Sequence, residues 1–385
     1  GSEMCIRDSY YVSASMRRGG SSRFAPDKRW GSFWSASAGW DISKEAFMQD
    51  FTQNVDILKF KASFGQNGND LIGARYIAYA DQYRLVGSDG VWSDGTLAYK
   101  GNPDITWEKS NAFNIGFDFS FWKGKLSGSA EYYNRQTSDM LFNIPVSPSL
   151  GYSSMPKNVG SMRNNGFEIN LTYQVINTKD ITWDINANIT FQGNKVLKLA
   201  PEILDENGYW KYSTIRWYKE GEPMYQYYLP QFAGVDPESG YSLFWAKRTV
   251  TNEAGEEVEE LYKTPEYQTA RDTYQVSTGN MMPKAYGGFG TTVTAYGFDL
   301  SAAFSYQLGG KIIDSGYQNL MHTGNNIGMA WHKDAMAGWT PQNTNTNVPA
   351  LQTNPKYSYA NATSDRFLIS VSYTHLRAHE TVLDL

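Results

Sequence analysis

The 385-residue chain reads as all-β: part of a large antiparallel transmembrane β-barrel, about ten strands of it, with long extracellular loops. Three observations predict this. Apolar and polar residues alternate strictly over runs as long as Phe113–Phe121. Strand side chains point alternately to opposite faces, so such a run has one apolar and one polar face, and ~9–11 residues suffice to cross a bilayer. Connections between runs alternate short and long, as in outer-membrane barrels with short periplasmic turns and long outer loops. The mean hydropathy is −0.51 and no long apolar run occurs. That excludes a membrane-crossing helix but not a barrel, whose polar lumen residues lower the average.

The elements follow in order. Tyr10–Arg17 sets Tyr10, Val12, Ala14 and Met16 against Tyr11, Ser13, Ser15 and Arg17. A polar loop with Arg17-Arg18-Gly19-Gly20 and Pro26 leads to Trp30–Ile42, which places Trp34, Ala36, Ala38, Trp40 and Ile42 on one face. Residues 43–55 read as a short helical turn with Ser43 as its N-cap. Leu58, Phe60, Ala62 and Phe64 form the next apolar set, which ends at the Gly/Asn cluster 65–70, a strand exit. The loop to Lys100 is long and aromatic. A hairpin turning at Lys123-Gly124-Lys125 then sets Phe113, Ile115, Phe117, Phe119 and Phe121 against Asn114, Gly116, Asp118 and Ser120. The next hairpin sets Phe167, Ile169, Leu171, Tyr173 and Val175 outward, turns at 177–180, and returns through Trp183, Ile185, Ala187, Ile189 and Phe191. Residues 193–284 lack any spanning pattern, and a loop that long is usually functional. A last hairpin over 285–308 turns near Tyr296-Gly297, and Phe367–Ser370 begins one more strand. Sidedness follows. Turns 123–125, 177–180 and 296–297 are periplasmic; loops 65–106, 139–162, 193–284 and 309–365 are outside.

Both ends read as something other than native protein. Met4-Cys5-Ile6-Arg7-Asp8-Ser9 can be encoded by ATG TGT ATA AGA GAC AG. The reverse complement of that string, in another frame, gives Val-Ser-Tyr-Thr-His, which occurs at 371–375. Residues 1–9 and 371–385 are therefore expected to be read-through of sequencing adapters, and 10–370 the partial barrel. The single cysteine, Cys5, falls in the first tag, which leaves no disulfide framework or thiolate metal site. A net charge of −5 makes nucleic acid an unsuitable partner.

Glu131, Glu168, Asp118, Asp184 and Asp299 invite an enzyme reading, since paired carboxylates hydrolyse glycosides. Each lies on the polar face of a regular strand, and nothing in the spacing makes two converge, so they read as solvated lumen lining. His322 and His332 have no zinc spacing and read as surface residues. Asp236 and Glu238, among glycines, could hold calcium but read better as a turn. No metal, cofactor or catalytic residue is expected. The best functional candidates are outer aromatics: Trp92, Trp107, Tyr152, Trp210, Trp217, Trp331 and Trp339. A flat ring packs on sugar C–H groups or other apolar ligand surface. The bland account of the same residues is packing within the loops.

Several motifs resemble the SusC/RagA family of TonB-linked outer-membrane transporters of Bacteroidetes. They are Gly101-Asn102-Pro103-Asp104 with Trp107-Glu108-Lys109, Asn114-x-Gly116-Phe117-Asp118-Phe119, Tyr132-Tyr133-x-Arg135-x-Thr137-x-Asp139-Met140-Leu141 and Asn158-x-Gly160-x-Met162-x-Asn164-x-Gly166-Phe167-Glu168. They arrive in the family's order, and the similarity runs from Tyr10 to Ser370. The resemblance implies outer-membrane import of oligosaccharides or peptides without covalent chemistry. It implies a SusD-like surface lipoprotein above and a TonB complex below, acting through an N-terminal plug absent from this sequence. Large transporters of this kind have 22 strands, so the fragment alone is expected not to close and to aggregate, since open sheet edges are not tolerated in lipid. A folded, detergent-stable monomer of residues 1–385 would count against that. The competing readings are a soluble β-rich glycan-binding protein or glycoside hydrolase, and a porin without TonB coupling.

Overall fold

The computed structural model describes residues 2–6, 9–51, 53–72, 77–88, 91–324, 328–351, 359–371 and 373–380, with backbone alone for 2–6, 85–88, 91–94, 96 and 373–380. Its wall is one antiparallel sheet of 11 strands in which each strand pairs with the next wall strand along the chain. They are β1 (Ser2–Ile6), β2 (Tyr10–Gly20), β3 (Trp30–Asp41), β4 (Val55–Asn69), β5 (Glu108–Phe121), β6 (Leu126–Ser138), β7 (Ser161–Asn177), β8 (Ile181–Lys198), β9 (Ala285–Ala295), β10 (Phe298–Leu308) and β11 (Tyr373–Glu380). Among the described residues β1 and β11 do not pair, and the sheet stays open. No helix is long and apolar enough to cross a membrane, which says nothing about a barrel.

The registers carry the predicted faces across the whole wall. One apolar row runs Ala38, Ala62, Ile115, Tyr132, Phe167, Phe191, Ala285 and Leu308. On that side Phe113, Phe117, Leu171 and Phe289 are exposed, the pattern expected of a lipid-facing barrel wall. Phe289 stacks on Phe304 across β9–β10, with ring centroids 4.7 Å apart. A one-residue slip would turn all of these into the lumen, so the apolar face fixes the register.

The ends of the wall carry the local irregularities. Asp56 is an extra residue in β4 opposite β5, and its Oδ2 accepts the Gly124 N–H at 2.9 Å, tying down the 122–125 turn. In β7 a bulge falls between Gln174 and Ile176. Strict alternation predicts Val175 in the outward set. The bulge instead puts Ile176 opposite Trp183, and Ile176 is exposed. At Tyr296-Gly297 both residues have positive φ, 52° and 85°, the geometry that two-residue hairpins require. Residues 42–51 form two 3₁₀ turns, Ile42–Lys44 and Ala46–Phe51, as expected. Ser43 is not the N-cap. Asp41 holds that position, and the Ser43 hydroxyl donates to its Oδ1 at 2.5 Å.

Leu368–Ser370 begins a strand, as expected, against Lys311–Ile313. The chain then pairs with β10 as β11, in a register shifted by one residue. β1 and β11, which lie in the segments the sequence marks as expected adapter read-through, are thus the edge strands. An exposed edge offers unpaired N–H and C=O groups to any extended segment.

The long connections between β4 and β5, β6 and β7, β8 and β9, and β10 and β11 leave the same end of the wall, and their described residues form cores there. One core gathers Phe24, Ile72, Ala78 and Ile105. A second gathers Val196, Leu199, Trp210 and Tyr218. A third gathers Phe244, Ala246 and Ala270.

Candidate functional site

The connection 199–284 is the most elaborate, and its fold follows from short pairings. Tyr209–Trp210 pairs with Tyr218–Lys219, which brings 211–217 round as a loop. Gln226–Pro230, buried throughout, pairs with Gln275–Asn280. Phe232–Val235, Ser242–Thr251 and Glu257–Thr264 form a three-stranded sheet covered on one side by α1 (Tyr267–Thr273). These pairings place 211–217 beside 271–275.

Between those two segments lies a hollow of about 410 Å³, lined by Lys211, Thr214 and Trp217 on one side and by Arg271, Asp272 and Gln275 on the other. Its floor is rigid. Trp217 stacks on buried Tyr228 with centroids 4.9 Å apart and planes 11° apart, and Tyr209 meets both rings edge-on. Burial, then the neighbouring Glu222 carboxylate to which it donates, pushes the Tyr228 hydroxyl well above the usual phenol range, so it stays a hydrogen-bond donor. Gln275 Nε2 donates to the Thr214 carbonyl at 2.9 Å and the Tyr228 carbonyl at 3.0 Å, locking the two sides together. Lys211 Nζ lies 4.8 Å from the Trp217 ring centroid and 3.1 Å from Asp205.

The structure separates the seven aromatics named above. Trp210 is buried in the second loop core, edge-on to Phe142 and Tyr218. Trp107 packs edge-on to Phe24 and Phe33, and its indole N–H donates to the Arg29 carbonyl at 3.1 Å. Trp339 closes on the 236–240 turn and donates to the Pro237 carbonyl at 3.1 Å. Tyr152 lies half-buried, its ring 6.0 Å from Lys100 Nζ. The Trp92 side chain lies outside the described residues. Trp217 lines the hollow, and Trp331 is 49% exposed. Lys211, Arg271 and Gln275 carried no signal in the sequence, because only non-local pairing joins 211–217 to 271–275.

One expectation changes. His322 is not a surface residue: it is 1% exposed, stacked on Trp331 at 5.0 Å, with Nδ1 accepting the Gly324 N–H at 3.2 Å. The polar 321–324 turn folds inward to bury it under the indole. His332 is partly exposed and pairs with Asp334 at 3.3 Å. In the wall, β6 and β7 set Glu131 directly opposite Glu168 in register, a neighbourhood the spacing along the chain does not show. Lys61 offsets this charge, lying 2.7 Å from Asp118 and 3.9 Å from Glu131. Asp236 behaves as the expected turn residue, accepting from the Glu238 N–H and the Ser239 hydroxyl. Among the described residues no group of three His, Cys, Asp or Glu side chains could hold a metal.

Comparison with known proteins follows the same outline. The family described as TonB dependent receptor-like, beta-barrel matches residues 6–327. TonB-dependent receptor P3 of Formosa agariphila is 27% identical over 375 residues, which is 96% of this chain and 36% of that protein. TonB-dependent receptor SusC of Bacteroides thetaiotaomicron is 34% identical over 198 residues, 50% of this chain and 20% of that one. Among solved structures, the RagAB peptide transporter superposes with a TM-score of 0.78 at 25% identity, covering 95% of this chain and 38% of that one. The chain thus spans well under half of the relatives it matches. These relatives are receptors and a transporter, not enzymes, so the Glu131–Glu168 pair has no hydrolase counterpart among them.

Proposed function

The chain belongs to the TonB-dependent receptor β-barrel family, and from that premise we propose that it is wall and outer loops of an outer-membrane importer. The imported ligand is an oligosaccharide, bound by the outer loops and passed inward when a TonB complex acts on a plug carried by the rest of the protein. A SusD-like surface lipoprotein is the expected partner above the loops. The observation that carries this reading is the asymmetry of the sheet: a lipid-type face outside, a charged and amide-rich face inside, and every long connection at one end. Peptide import is the second reading, favoured by the structural likeness to RagAB.

The test is uptake in cells carrying the full-length gene. Oligosaccharide should enter only when that gene is present, and entry should stop when the proton-motive force is dissipated. Recovery of the full-length protein from the soluble fraction would sink the proposal, as would uptake indifferent to the proton-motive force, which indicates a porin. Entry of peptides in place of oligosaccharides selects the second reading.

A further inference from the structure

We propose that the hollow between 211–217 and 271–275 is a subsite for an acidic sugar residue, such as a uronate, of the imported oligosaccharide. This rests on the importer reading and names the ligand class for one part of it. The hollow has the size and composition of a small-ligand site, with an aromatic slab and a few convergent polar groups. Its charged rim identifies the ligand's acidic group. Lys211 and Arg271 approach from opposite sides. Lys211 shares its ammonium between Asp205 and the indole face. Arg271 Nε lies 3.4 Å from its chain neighbour Asp272 and the guanidinium interacts electrostatically with Tyr267 one turn earlier, while its terminal nitrogens donate no hydrogen bond among the described residues. A planar guanidinium with free donors suits a carboxylate bidentately.

Asp272 is the one carboxylate of the lining, and its orientation is held by its own helix. Both its oxygens accept from Gln268 Nε2, at 2.9 and 3.1 Å, on its own helix. Trp217 supplies the sugar part of the recognition. Tyr228 covers one face of the indole, Tyr209 meets it edge-on, and the Lys211 ammonium lies 4.8 Å from the ring centroid. A bound carboxylate draws Lys211 off the ring, and the uncovered face meets the C–H side of the sugar. Because Gln275 and Tyr228 already fix the slab, little ordering remains to be done on binding.

The experiment is titration calorimetry on the full-length protein with tetragalacturonate, maltotetraose and tetraglutamate, at low and high salt. Tetragalacturonate should bind at least ~10-fold more tightly than maltotetraose at low salt, as expected for a charge-assisted contact, and high salt should erase the advantage. Arg271→Gln and Lys211→Gln should each weaken tetragalacturonate by ~10-fold and leave maltotetraose unchanged. The Lys211 and Arg271 side chains are 53% and 34% exposed and lie outside the loop cores, so neither change opens a buried cavity. Trp217→Leu should weaken both saccharides. No measurable tetragalacturonate binding, or full binding by Arg271→Gln, overturns the assignment. Tetraglutamate binding as tightly as tetragalacturonate also overturns it, in favour of a peptide carboxylate. Failure here with uptake of a neutral oligosaccharide intact removes the subsite but not the importer. Loss of outer-membrane fractionation removes the importer itself.

Discussion

Phe167 in the wall and Val258 in the outer loops are almost equally exposed, at 41% and 39%, yet on the importer reading they face different solvents. The wall needs no core of its own. Its strands β2–β10 turn Phe113, Phe117, Phe167, Leu171, Phe191 and Phe289 outward, where, on the importer reading, lipid receives them. The loops stand in water and must bury apolar surface internally. Accordingly the buried hydrophobic side chains concentrate there: Ile72 and Ile105, Trp210 and Tyr218, Leu229, Phe244 and Phe367. Where wall strands contribute to such packing they do so near their outer ends, at Phe33, Val196 and Ala285. The lesson concerns how exposure is read. An exposed phenylalanine is a satisfied residue in one half of this molecule and an exception in the other.

The contrast can be broken most directly at the loop core. Phe244→Ala removes a ring that is 1% exposed and should cost ~3–5 kcal/mol. Hydrogen exchange on the full-length protein should show amides of 232–264 speeding up while those of β7 and β8 do not. Acceleration in both would mean that loops and wall unfold as one unit.

The next effect compares the two solvents. Phe167→Arg, near the middle of β7, should cost ~2–4 kcal/mol in lipid vesicles. Val258→Arg should stay within about 0.5 kcal/mol. Urea unfolding from vesicles measures both, and equal costs would mean that the exposed wall face does not meet lipid.

A smaller effect belongs to the periplasmic end. Asp56→Ala removes the acceptor of the Gly124 N–H and the Ser120 hydroxyl, and should cost about 1 kcal/mol by the same measurement. A neutral result would mean that the 122–125 turn is set by its own backbone.

The smallest effect is titration in the loops. Burial raises the Asp365 carboxyl above its ordinary 3.8, while its Oδ1 accepts the Phe232 N–H at 2.8 Å. The folded state therefore holds this proton more tightly than the unfolded chain. Its stabilising contribution is present at acid pH and is lost as pH rises from the ordinary carboxylate value through the raised one. Asp365→Asn keeps an acceptor without the charge. Thermal unfolding of the loop layer should favour the variant slightly at pH above that window and show no difference below it. A larger gap at acid pH would reverse the sign.

The wall was legible in the sequence because a strand's two faces are encoded locally, at every second residue. Phe113–Phe121, the 183–191 run and the 298–308 run each state their own orientation, and the turns at 122–125 and 296–297 mark their own ends. The departures are places where the tertiary structure intervenes: the bulge that exchanges Val175 for Ile176, and the Asp41 position that displaced Ser43 as cap. The site was barely legible. Trp210, Trp217 and Trp331 are the same residue type in similar polar contexts, yet one is core, one lines a hollow and one is half-exposed. His322 was misread for the same reason, whereas Glu131 and Glu168 lie on the polar face where the sequence placed them. Alternation is a property of neighbours along the chain, so the sequence by itself determined the barrel wall and its apolar face. Which side chains converge depends on register and on loop segments far apart in the chain, and only the tertiary structure decided that Lys211 and Arg271 share one hollow.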